Sequence, residues 1–202
     1  MEYEKGELKM CMNAQSKFDK AIDFSLKWEG GRNFNVVKGK PIVKGAAKAD
    51  EGGATAYGIT IPTLRTAFAA GIVKHQDICQ LTQAEAKEIY RANYWDRYGW
   101  GELDWPVCLC CLDCCINHGS FATILQRAAT SCGHATTVDG KFGPKTFAAL
   151  KACEPKALAR AIYTQRKLYY ENIVQRKPQQ KVFLKGWMSR AEAMARTAGV
   201  IP

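Results

Sequence analysis

The first chemical signal comes from three side chains. Glu29 lies in Trp28-Glu29-Gly30-Gly31, and Asp50 and Thr55 lie in Asp50-Glu51-Gly52-Gly53-Ala54-Thr55-Ala56-Tyr57-Gly58-Ile59-Thr60. Glu29 is expected at the C-terminal end of a helix, where the macrodipole disfavours negative charge. With Trp28 as an apolar wall beside it, both influences predict a carboxyl that stays protonated near neutral pH. Such an acid can hand a proton to a glycosidic oxygen. The two glycines after it let backbone or ligand come close. Asp50 could polarise a water or stabilise a positive centre, and Thr55 could position that water, with Glu51 a rival to Asp50. A β-turn led by aspartate accounts for the same residues without chemistry. Tyr57 and Gly53 join the ligand-contacting candidates, Tyr57 as a ring on which a sugar could stack or as core packing.

The elements that must position these residues are almost all helical. Ser16-Lys17-Phe18-Asp19 reads as a capped helix start. Phe18, Ala21, Ile22, Ser25 and Leu26 then make one apolar face, and Gly30-Gly31 ends the helix. Val36-Val37 and Ile42-Val43 flank Lys38-Gly39-Lys40-Pro41, which predicts a small lysine-rich β-hairpin. Pro62 opens a helix ending near Gly71. The capping box Thr82-Gln-Ala-Glu85 opens another, which runs to Trp95. Further helices are expected from Pro106 to about Gly119, from Phe121 to Ser131, from Pro144 to about Ala152, and from Pro155 to before Pro178. The last spans about Gln180 to Ala198, with Phe183, Leu184, Trp187, Ala191 and Met194 on its buried side. Arg166, Tyr169, Tyr170 and Trp187 are taken as core residues with snorkelling polar heads. The fold class is mostly α with a small β-hairpin near the candidate site. The expected division is an N-terminal extension (1–15), a catalytic region (16–105) and a helical region (106–202) packed against it.

Charge is uneven along the chain. Residues 1–105 hold 15 Lys/Arg against 14 Asp/Glu, whereas residues 106–202 hold 14 against 5. A basic half favours an anionic partner: nucleic acid, an acidic membrane, or an acidic polymer such as a bacterial wall. No stretch approaches the ~18 apolar residues of a membrane span. The opening MEYEKGELKM lacks the order of a secretory signal, and Met12 could itself be a start. Five of nine cysteines crowd into Cys108, Cys110, Cys111, Cys114 and Cys115. They read first as reduced, buried small hydrophobes. The sharper alternative is zinc on Cys111, Cys114, Cys115 and His118, although the loop-borne pairs of typical zinc sites are missing.

These residues resemble a known family. Glu29-Gly30-Gly31 followed by Asp50-x-Gly52-Gly53-Ala54-Thr55-x-Tyr57-Gly58-Ile59-Thr60 is similar to glycoside hydrolase family 108, the N-acetylmuramidases of phage endolysins and secretion-associated bacterial lysozymes. Tyr94-Trp95 and Asp104-x-Pro106 continue the similarity. Asp113-x-x-Ile116-Asn117-His118-Gly119 and Leu125-Gln126-x-Ala128 look like the start of its C-terminal peptidoglycan-binding region. Val138-Asp139-Gly140-Lys141-Phe142-Gly143-Pro144-Lys145-Thr146 specifies a turn leading into a helix, and it also resembles a stretch of small peptidoglycan-binding modules.

The resemblance spans about residues 16 to 195. It implies a lysozyme-like fold, peptidoglycan as substrate and partner, Glu29 as catalytic acid with Asp50 and Thr55 beside it, and Asn117 facing the cleft. It also implies cleavage of the β-1,4 bond from N-acetylmuramic acid to N-acetylglucosamine. No cofactor, metal or nucleic acid is expected, and the chain is taken as a monomer. It would be made in the cytoplasm and reach the wall through a holin or a secretion system. Three alternatives stay open: a lytic transglycosylase on the same substrate, a basic nucleic-acid-binding protein, and a wall-binding protein without catalysis.

Overall fold

The computed structural model describes residues 17–37, 39–43 and 53–202. Asp50, Glu51, Ser16 and the extension 1–15 lie outside those residues. The described chain holds eight α-helices and two antiparallel two-stranded sheets. It divides into two compact units, Ile22–Tyr98 and Gly99–Pro202, the second also taking in residues 17–21. The boundary therefore falls inside the first helix.

Helix α1 (residues 17–29) buries Phe18, Ala21, Ile22, Ser25 and Leu26, the face that periodicity predicts, and Phe24 with them. It stops where Gly30 takes a left-handed φ of 71°, which costs glycine no Cβ clash. Strands β1 (Phe34–Val37) and β2 (Lys40–Val43) pair with Phe34 opposite Val43 and Val37 opposite Lys40. Strands β3 (Thr55–Ala56) and β4 (Ile59–Thr60) form a second hairpin with Ala56 opposite Ile59. Its two turn residues both have positive φ, 53° at Tyr57 and 77° at Gly58. Left-handed backbone at both central positions is what a type I′ hairpin turn needs.

Helix α2 (Ile61–Ala69) carries Pro62 in its first turn, and the Thr60 hydroxyl accepts from the Thr63 amide. Helix α3 (Gln83–Tyr90) opens on the predicted capping box, with the Thr82 and Glu85 side chains each bonding the other's backbone. An ion pair from Lys87 to Asp23 at 2.6 Å ties α3 to α1. Beyond Tyr90 the chain continues as a π-helical stretch, Arg91–Asp96, rather than the uninterrupted α-helix expected to Trp95.

The second unit is built around α4 (Val107–Asn117), α5 (Phe121–Ser131), α6 (Pro144–Ala152), α7 (Pro155–Arg176) and α8 (Lys181–Thr197). Helix α4 packs against α5, α7 and α8. Every residue from Val107 to Cys115 is buried, as a helix apolar on all sides must be. The clustered cysteines are therefore core packing. Burial raises their thiol pKa values, to about 11 at Cys108 and about 12 at Cys114, so they stay protonated. Among the described residues, no three His, Cys, Asp or Glu side chains converge as metal ligands would, and the zinc alternative has no geometric support.

One charge interrupts that apolar helix. Asp113 is fully buried, with Arg166 Nη1 at 2.7 Å from one carboxylate oxygen and Arg190 Nη2 at 2.8 Å from the other. Burial raises the Asp113 pKa, but the two guanidinium groups outweigh it and hold the carboxyl below its ordinary range. Arg166 does not snorkel as expected: its side chain is wholly buried because Asp113 neutralises it there. The expectation for α8 also needs correction. Ala191 and Met194 are buried, but Leu184 and Trp187 are only half-buried and Phe183 is 53% exposed. The fully buried stripe starts at Arg190. Phe183 instead stacks on Trp187 at 5.9 Å, which in turn stacks on Tyr170 at 5.4 Å.

Candidate active site

In the unit Ile22–Tyr98 the site is assembled by short backbone links between the end of α1 and the β3–β4 hairpin. Glu29 is the last helical residue of α1 and is half-buried. After Gly30 the chain turns and runs antiparallel to the 53–57 segment. The Tyr57 amide donates to the Gly31 carbonyl at 3.2 Å, and the Asn33 amide donates to the Thr55 carbonyl at 3.1 Å. Arg32 forms a bridge with Ala56. Asn33 closes the link with its side chain: Oδ1 accepts the Thr55 amide at 2.7 Å and Nδ2 donates to the Gly53 carbonyl at 3.0 Å. One asparagine thus holds both Gly53 and Thr55 to the stretch that leaves Glu29.

Gly58 gives the hairpin its closest approach to the acid. A Cβ added there would lie 3.1 Å from Glu29 Oε2 and 3.3 Å from Glu29 Cβ, and would collide with the Tyr90 hydroxyl. Only a residue without a side chain lets the turn rest against the carboxyl while keeping a φ of 77°. Tyr90, buried on α3, donates its hydroxyl to the Tyr57 carbonyl at 3.0 Å and so anchors the turn from the other side. The result is a half-buried carboxyl flanked by hairpin backbone, with the half-buried Thr55 and Tyr57 on that same hairpin. A carboxyl so placed can exchange a proton with a ligand lying along the hairpin.

Of the six residues expected at the site, Glu29, Gly53, Thr55 and Tyr57 belong to this linked patch. Asp50 lies outside the described residues. Asn117 belongs to the other unit, at the last position of α4, where its Nδ2 donates to the Tyr170 hydroxyl at 3.2 Å. Next to it, His118 caps α4, with Nε2 2.9 Å from the Tyr170 hydroxyl. Burial, and then the Arg166 charge, lower the His118 pKa to about 3, so its imidazole is neutral. A neutral, packed histidine fits the capping role rather than catalysis.

Asn33 and Tyr90 were not among the expected residues. The signal for Asn33 was present, because a short amide just past a helix stop is suited to bonding neighbouring backbone. Tyr90 looked like any apolar-face residue of α3, and nothing in its spacing marks a hydroxyl aimed at a turn 33 residues away.

The Val138–Thr146 segment is organised by a buried amide. Gln126 Nε2 reaches Asp139 Oδ1 at 2.8 Å and the Lys141 carbonyl at 3.0 Å, and Gln126 Oε1 accepts the Gly140 amide at 3.0 Å. Pro144 then starts α6 as predicted. Phe142 packs edge-on against Trp100 at 4.9 Å.

Comparison with known proteins agrees with these two parts. Residues 22–119 match the family model described as glycosyl hydrolase 108. Residues 121–192 match a predicted peptidoglycan domain. The structure of Brucella abortus SagA superposes with a TM-score of 0.65 at 27% identity, covering 92% of this chain and 96% of that one. No curated protein matches the chain. Glu29 and the hairpin that rests on it lie inside the first matched region, the Gln126-centred loop lies inside the second, and the chain therefore carries a glycosyl hydrolase family 108 region followed by a peptidoglycan-binding domain, the make-up of a peptidoglycan hydrolase.

Proposed function

We propose that the chain is a lysozyme-type muramidase that cleaves the β-1,4 bond between N-acetylmuramic acid and N-acetylglucosamine, with Glu29 as general acid. The observation that carries this reading is the seating of the Glu29 carboxyl against the Tyr57–Gly58 turn, inside the region that matches the hydrolase family. In the reaction, Glu29 protonates the glycosidic oxygen as the bond to the anomeric carbon breaks. Positive charge then builds on the sugar ring, and a nearby carboxylate, assigned to Asp50, stabilises it or directs a water held by Thr55. Tyr57 and Gly53 are assigned to the substrate. The basic C-terminal half retains the enzyme on the anionic wall. The chain acts as a monomer and reaches the wall through a holin or a secretion system.

The test compares wild type, Glu29→Gln and Asp50→Asn on purified sacculi, following turbidity and identifying the released sugars. Wild type is expected to release muramic acid with a free reducing end, and Glu29→Gln to release nothing while still sedimenting with sacculi. Anhydro-muramic products would replace the hydrolase reading with the transglycosylase one. Undiminished lysis by Glu29→Gln would remove Glu29 from the chemistry.

A further inference from the structure

Four of the nine cysteines lie outside the α4 cluster, and two of these are neighbours. Cys132 caps the C-terminus of α5 and Cys153 caps the C-terminus of α6, two helices packed on each other within one unit. Their side chains lie close enough for each thiol to perturb the other's titration, and the Cys153 thiol donates to the Ala149 carbonyl oxygen at 3.1 Å. Both are free thiols. We propose that Cys132 and Cys153 are a disulfide-forming pair, joined by exchange with a small-molecule or protein disulfide once the chain is outside a reducing compartment.

Access to the two thiols is unequal, which sets the order of events. Cys153 is buried, whereas Cys132 is partly exposed and lines an open groove of about 520 Å³ with Glu154, Lys156 and Arg160. The two cations of that groove favour a carboxylate-bearing oxidant such as oxidised glutathione. Burial raises both thiols, Cys153 to about 11, but the neighbouring Cys153 thiol opposes the rise at Cys132, making Cys132 the first to ionise. The Cys132 thiolate therefore attacks the oxidant disulfide, RSSR, and expels one thiolate RS⁻. Cys153 loses its proton and attacks the Cys132 sulfur of the mixed disulfide, expelling the second RS⁻. Two protein thiols are oxidised by two electrons, and one RSSR is reduced to two RSH.

The cross-link would close the segment 133–152, which contains the Gln126-centred loop and the whole of α6. It would therefore brace the peptidoglycan domain against unfolding after export. Its effect comes from restricting the unfolded chain across a loop of roughly 20 residues.

The test uses the full chain, purified reduced and incubated at pH 8.5 with oxidised glutathione. The expected results are two fewer titratable thiols, a mass lower by about 2 Da as two thiol hydrogens are lost, and a non-reduced peptide map linking Cys132 to Cys153. Tm should rise by roughly 5–10 °C and fall back on adding dithiothreitol. Cys132→Ser and Cys153→Ala should each abolish the linked peptide and the Tm shift. The wild-type peptide map decides the matter even if a variant folds poorly. A map without the Cys132–Cys153 peptide, or one dominated by pairs involving Cys79 or Cys11, overturns the proposal. Because no step uses lytic activity, an inactive enzyme with this cross-link and an active one without it are separate results.

Discussion

Each unit holds one prominent carboxylate, and they are held in opposite ways. Asp113 sits in the middle of an apolar helix, wholly buried, with a guanidinium on each carboxylate oxygen. Glu29 sits at the end of a helix, half-buried, with hairpin backbone pressed against it through a glycine. The more buried acid has the more perturbed environment, yet its proton is unavailable, because two cations lock the charged form in place. Glu29 remains within reach of a ligand. Perturbation by burial marks Asp113 as a structural knot, and placement beside an open turn is what supports the proposal of Glu29 for the chemistry.

The contrast can be broken by exchanging charge for amide at each position. Glu29→Gln should lower turnover on sacculi by at least ~10²-fold, since general acid catalysis is worth roughly 10²–10⁴. Its Tm should stay within about 2 °C of wild type, because a half-buried carboxyl gives way to a near-isostere. Asp113→Asn should do the reverse. It leaves two buried guanidinium groups uncompensated, for a stability loss of about 3–5 kcal/mol. Catalysis per folded molecule should change little. Denaturant midpoints beside initial lytic rates separate the two, and a mutant pair with equal Tm would refute the distinction.

Gly58→Ala sharpens the contrast further. The new methyl meets Glu29 Oε2 and the Tyr90 hydroxyl on a left-handed backbone. A stability loss of about 1–2 kcal/mol is expected from backbone strain alone. Activity should fall roughly tenfold or more, because a displaced acid loses its geometry. If lysis is untouched, the turn does not position Glu29.

The most gradual effect is in pH. The His118 pKa lies at about 3 in the folded chain, against an ordinary value near 6.5 in the unfolded one. The unfolded chain therefore takes up a proton that the fold rejects. Stability on this account is complete above about pH 6.5 and declines as pH falls towards 3, by up to about 1.4 kcal/mol per unit. Chemical denaturation at pH 7.5, 6, 5 and 4 should show that slope, and His118→Gln should flatten it. An identical slope in the variant would assign the acid sensitivity to other groups, with Asp113 adding its own loss only below its ordinary carboxylate range.

Much of the helical layout was legible because punctuation residues act locally. Pro144 and Pro155 open α6 and α7 where expected, Thr82 with Glu85 opens α3, and Gly30 ends α1. Glu29 was legible for the same reason, as an acid at a helix end next to two glycines. The knot was not. Asp113 stood out only as part of a family motif and Arg166 only as a core residue with a snorkelling head, because their pairing spans 53 positions. Phe183 was misplaced because helical periodicity ranks the faces of α8 but does not say how far along its length a neighbour covers it.

The order of residues by itself therefore determined the helices, most of their ends and the first hairpin, all properties of side chains acting on backbone within a few positions. Tertiary structure alone decided which carboxylate would be neutralised and which would be left against an open turn. That choice depends on which cations and which glycine the folded chain carries to each one, and electrostatic strength follows distance in space rather than along the chain.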